Sequence, residues 1–114
     1  MKPNIVKDKS FLFAKRIVFS SKFLIKKNEF VLSKLLLRSG TAPGALIREA
    51  EMAESKKDFI HKLCIALKEA NETEYWIDLL METEYLSNKN GTSLKTDCIE
   101  IFKLLTSIIK SSKS

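Results

Sequence analysis

SGTAPG, residues 39–44, packs two glycines and a proline into six positions, and its reading decides the architecture of this chain. By local propensity it is a loop, because glycine and proline are the strongest interrupters of regular structure. The residues around it disagree. Leu32, Leu35, Leu36, Ser39, Ala42, Pro43, Leu46, Ile47, Ala50 and Ala53 hold one three–four rhythm straight through the segment, and a loop has no reason to preserve helical phase. The phase predicts a single helix over residues 29–54, bent where Pro43 frees the carbonyl of Ser39. Ser39, Ala42 and Gly44 would then let a neighbouring helix approach closely.

Working outward, three more helices are expected. The first covers residues 8–27, with Phe13, Ala14, Ile17, Val18, Leu24 and Ile25 on its inner stripe. Asn28 follows as an N-cap for the second helix, with Glu29 complementing its dipole. The third covers 56–85, with Ser55 as N-cap and Asp58 at its third position. Its inner stripe is Phe59, Ile60, Leu63, Ala66, Leu67, Ala70, Ile77 and Met81. SNKNGT (87–92) reads as a loop, and a fourth helix follows over 93–110 with Leu94, Cys98, Ile101, Phe102, Leu105, Ile108 and Ile109 inside. With three Gly and two Pro in 114 residues there are too few turns for a sandwich or barrel. The expected fold is all-α, a single domain over 1–114 forming an antiparallel up-down four-helix bundle.

Most routes to catalysis are closed by the same residues. The basic, apolar start resembles a signal peptide, but Lys15 and Arg16 break its apolar run and no small-residue cleavage site follows. No stretch reaches the ~18 consecutive apolar residues of a membrane span, so a cytoplasmic chain without membrane contact is expected. Cys64 and Cys98 lie in apolar patterns without CxxC spacing and read as buried free thiols. His61, the lone histidine, stands one turn before Cys64, and two ligands do not make a tetrahedral site. SGTAPG lacks the lysine and preceding strand of a phosphate loop. Glu69, Glu72, Asp78, Glu82 and Glu84 map to a solvated face. Glu74 falls between Ala70 and Ile77 in the inner stripe, where a carboxylate must be paired, by an arginine or a backbone donor. No nucleophile, acid and base can be assembled, so no enzyme, metal or cofactor is expected.

Charge carries more information. The net +6 divides into +8 over residues 1–38, −5 over 45–85 and +3 over 86–114. Lys15, Arg16, Lys22, Lys26, Lys27, Lys34 and Arg38, interleaved with Phe11, Phe13, Phe19 and Phe23, suit a phosphate backbone; the plain alternative is a solvated helix face. Two apolar stripes also stand apart from the core. Leu12, Phe19 and Phe23 sit among bases on the first helix, and Ile65, Trp76, Leu79 and Leu80 sit beside acids on the third. Two different patches can meet only head-to-tail between copies, which closes into a ring or grows into a filament.

LLRSGTAPGALIREA (36–50) followed by SKKDFIHKLCIALKEANETEYW (55–76) resembles the 23S rRNA intervening-sequence proteins, four-helix bundles encoded within bacterial large-subunit ribosomal RNA genes. The resemblance extends over about residues 10–110. It implies an up-down bundle whose second helix continues through the small-residue segment, assembled as a homopentameric ring. It transfers no catalytic residue. The family's usual Ala-Asn-Ile-Ala-Glu-Ala stretch departs here to ALIREA (45–50), with Leu46 in place of Asn and Arg48 in place of Ala. In fold the family is also similar to the basic pentameric accessory protein of diversity-generating retroelements. Two functions are thus expected to compete: RNA or DNA binding through basic surface, and a protein-interaction scaffold.

Overall fold

The computed structural model describes residues 3–114, with side chains from Ile5 onward. Lys2, one of the bases counted in the +8 segment, lies outside the described residues. Four helices fill the chain: α1 (Pro3–Lys26), α2 (Phe30–Glu51), α3 (Lys56–Glu82) and α4 (Asn88–Lys113). They form a rod of 44 × 21 × 19 Å.

The decisive segment is helical. α2 runs unbroken through residues 39–44, with Pro43 inside it and Ser39, Gly40 and Pro43 buried. Tertiary contacts on both sides hold it there. Ser39 Oγ and Thr73 Oγ1 are hydrogen-bonded at 3.0 Å, tying α2 to α3. Gly40 lies against the Ile17 side chain of α1, and Gly44 against the Ser10 backbone. The proline therefore costs local helix energy that close packing offsets. The apolar rhythm overran the helix by two residues, since Glu51 is its last and Met52 its cap.

Each helix end has a local cause. α1 closes with Asn28 at φ 63°, the Glu29 amide reaching the Leu24 carbonyl at 2.9 Å and the Asn28 amide that of Ile25 at 2.9 Å. That is a Schellman turn. Asn28 thus ends α1 rather than starting α2. The cap of α2 is Glu29, whose carboxylate accepts from the Val31 and Leu32 amides at 3.0 and 2.8 Å. Ser55 caps α3 through the Asp58 amide at 3.0 Å, and Asp58 returns the bond by accepting from the Glu54 amide at 3.2 Å. That backbone bond, with Lys62 beside it, holds the Asp58 carboxyl below the usual aspartate range. α3 stops at Glu82, three residues short of the expected end, in a second Schellman turn with Glu84 at φ 67°.

The largest correction concerns α4. Residues 88–92 were expected in a loop, yet they form its first turns. Ser87 Oγ accepts from the Asn90 amide at 3.1 Å and the Ser87 carbonyl from the Gly91 amide at 2.8 Å. Gly91 is buried against Met81, so the absent side chain is a packing feature rather than a break. The polarity of Asn88, Lys89 and Asn90 is that of an exposed first turn.

Contacts run in opposite order along neighbouring helices. Lys7 meets Glu51, Ile17 meets Gly40 and Ser21 Oγ donates to the Ser33 carbonyl between α1 and α2. Ala70 meets Cys98 and Met81 meets Gly91 between α3 and α4. Lys9–Glu100 and Arg16–Asp97 join α1 to α4. The core is built from Phe13, Ile17, Leu24, Leu36, Ile47, Leu63, Ile77, Leu80, Leu94, Ile101 and Leu105, each aliphatic side chain contributing about 1.5–3 kcal/mol of burial. Ile25, expected inside, is 46% exposed, and Leu24 one position earlier takes the core. No helix among the described residues is long and apolar enough to cross a membrane.

Candidate functional site

The groups that chemistry would need are dispersed. His61 is exposed and Cys64 half-buried on α3. The Cys98 thiol is buried, its S–H donating to the Ala70 carbonyl at 3.2 Å. Burial first, and then the carboxylates of Glu74, Asp78 and Asp97, push its pKa up to about 12. At neutral pH it is a protonated core group, not a nucleophile. Among the described residues no three of His, Cys, Asp and Glu converge.

The acids of α3 are largely occupied by their neighbours. Arg38 of α2 holds Glu69 at 3.3 Å and also Glu72, and Glu72 accepts the Trp76 indole N–H at 3.0 Å. Lys95 of α4 holds Asp78 at 2.8 Å and reaches Glu74 at 3.9 Å. The Asp78 hydrogen bond raises Lys95 above the usual lysine range. Glu74 is therefore half-buried at the α3–α4 boundary rather than in the core, and its partner is a lysine. Thr73, buried against Ser39, takes the inner position between Ala70 and Ile77.

The seven expected bases divide into two sets. Arg16 pairs with Asp97 at 2.6 Å and donates to Ser93 at 3.1 Å, and Arg38 is engaged as above. Lys15, Lys22, Lys26, Lys27 and Lys34 have no carboxylate in ion-pair range among the described residues. For Lys22, Lys26 and Lys27 the cause lies in α4. Its Asp97 and Glu100 stand opposite the first two-thirds of α1, whereas its own first turn, opposite the end of α1, has no acid. Positive charge is cancelled at Lys9 and Arg16 and left standing at Lys22, Lys26 and Lys27, toward the end of α1.

Exposed aromatic rings accompany that uncancelled stretch. Phe19 is 65% exposed and Phe23 45%, with Lys22 Nζ 5.8 Å from the first ring centre and Lys27 Nζ 4.8 Å from the second. Both rings border a groove of about 530 Å³ between α1 and the α3–α4 connection, which Arg16, Lys27, Glu84, Tyr85 and Asn90 also line. Tyr85 and Asn90 escape sequence reasoning. They sit at a helix stop and a helix start, where no periodicity marks a face.

The residues of the two stripes expected to meet between copies are also spread. Leu12 joins Phe19 and Phe23 on the exposed side of α1, 57% exposed. Ile65 and Trp76 are half-buried on α3. Leu80 is fully buried in the core and cannot take part. In the departing ALIREA stretch, Leu46 packs against the core and Arg48 lies 5.7 Å from the Phe11 ring centre.

A family model described as 23S rRNA-intervening sequence protein matches residues 2–107. The 1.70 Å crystal structure of a protein with unknown function from the S23 ribosomal protein family of Bacteroides thetaiotaomicron VPI-5482 is similar at 61% identity. The match covers 96% of this chain and 99% of that one, with a TM-score of 0.94. No curated protein matches.

Proposed function

The chain belongs to the family of 23S rRNA-intervening sequence proteins, and from that premise we propose that it is a binding protein, not an enzyme, whose ligand is RNA or DNA held by its phosphates. One observation carries this reading: among the described residues Lys15, Lys22, Lys26, Lys27 and Lys34 have no carboxylate partner, whereas Arg16 and Arg38 are neutralised by theirs. Lysines free to exchange condensed counterions for phosphate contacts make binding strongly salt-dependent, with a log–log slope of about −0.7 to −0.9 per contact. Few groups able to read base edges accompany them, so discrimination between sequences is weak.

Fluorescence anisotropy of labelled RNA and DNA across a salt series tests the proposal. Changing Lys22, Lys26 and Lys27 together to Glu should lower affinity at least about tenfold and flatten the slope. Arg16→Ala should do less, because Asp97 already holds that charge. No binding to any RNA or DNA at low salt would leave the protein-interaction scaffold as the reading.

Assembly belongs to the same proposal. The bundle is antiparallel and up-down, supported by the opposed order of contacts along its helices, and copies close into a pentameric ring. Leu12 of one copy meets Ile65 and Trp76 of the next, while Phe19 and Phe23 turn to the groove. The support is an apolar strip on α1 that the bundle itself does not cover. A ring would repeat the lysines of α1 around its axis.

A further inference from the structure

The groove between α1 and the α3–α4 connection holds more than charge. We propose that it receives an unpaired nucleobase, so that the protein selects single-stranded over duplex nucleic acid; this rests on the nucleic-acid reading above and adds the class of strand. Three aromatic side chains, Phe19, Phe23 and Tyr85, border one cavity of about 530 Å³, within the size range of sites that take small planar ligands. Two of them stand well exposed to water. Each of these two has a lysine ammonium over its ring, at 5.8 Å and 4.8 Å from the ring centre. A ring next to a cation is the complement of a nucleotide, which carries a flat base next to an anion.

The arrangement also orients the strand. Arg16 and Lys27 line the α1 side, with Lys22 over the Phe19 ring, and Glu84 lines the opposite wall, so the phosphates follow α1 and the base turns inward toward Tyr85. Lys15 and Lys22, seven residues apart on one face of α1 and so about 10 Å from each other, extend the charged track beyond the reach of a single nucleotide. The occupant is therefore a strand rather than a free mononucleotide. Stacking of this kind tolerates any base, since every base has a π-face. A duplex cannot use it, because its bases are already stacked and paired.

The test compares a labelled 20-nucleotide oligouridine with an RNA duplex of equal length, at matched salt. The single strand should bind about tenfold more tightly or better. Phe23→Leu, which keeps an apolar side chain but removes the π-face, should weaken single-strand binding about tenfold and leave duplex affinity and the salt slope unchanged. Phe23→Trp should restore it. Light scattering and circular dichroism confirm that the variants keep the parent's mass and helicity. Equal affinity for both forms, an unaffected Phe23→Leu protein, or displacement by uridine monophosphate at the same nucleotide concentration would each overturn this inference while leaving phosphate binding intact. Absence of binding to either form removes both.

Discussion

Gly40 and Gly91 are both buried within helices, and a methyl group added at either would meet a side chain from a neighbouring helix. The neighbours differ in how they can yield. A Cβ on Gly40 would stand 2.6–2.8 Å from three carbons of Ile17, a β-branched and fully buried side chain with essentially one helical rotamer. A Cβ on Gly91 would meet Cγ and Sδ of the unbranched, half-buried Met81, which must change rotamer to clear it. Helix propensity favours alanine by about 1 kcal/mol at both sites. Gly40→Ala is therefore expected to lose about 1–3 kcal/mol, and Gly91→Ala to lose less because Met81 can take another rotamer, as measured by urea unfolding. Spacing alone showed that small residues near position 40 admit another helix. It did not show that Ser39 and Gly40 serve different neighbours, because adjacent residues differ by only about 100° around the axis. The same ambiguity misplaced Glu74 and Leu80. Once Thr73 is the inward residue, Leu80 follows it seven positions later into the core.

α1 and α3 end in the same turn, with Asn28 at φ 63° and Glu84 at φ 67°. Asparagine tolerates the left-handed region well, whereas glutamate pays for its Cβ there. Glu84→Asn should raise stability by up to about 1 kcal/mol, read as an increase in melting temperature without a change in helicity. Neither turn carries the glycine that marks such stops in a sequence, which is why α3 was expected to run three residues too far. At α4 the opposite happened: a glycine among polar residues suggested a loop, but its position is fixed by the Met81 side chain. Element interiors were legible because burial imposes a period. Their ends depend on single hydrogen bonds, which leave little pattern.

For the whole molecule, the ring proposal expects a mass by light scattering of about five times 13.0 kDa. Leu12→Glu should reduce it to one subunit while circular dichroism stays helical. A monodisperse 13.0 kDa species for the unmodified protein would end the ring proposal. The four helices and the basic first third could be read from composition and phase. Which bases are cancelled could not, because that depends on what stands across from α1, and only the folded arrangement sets Asp97 and Glu100 there. The groove is likewise a product of assembly, bounded by α1 on one side and by the junction of α3 and α4 on the other. An occupant touching both walls would act as a cross-brace between parts of the chain far apart in sequence. Occupancy and folding would then be a single linked equilibrium, and a hundredfold excess of ligand over its dissociation constant would add about 2.7 kcal/mol to the native state. The ligand would be a component of the fold's own stability.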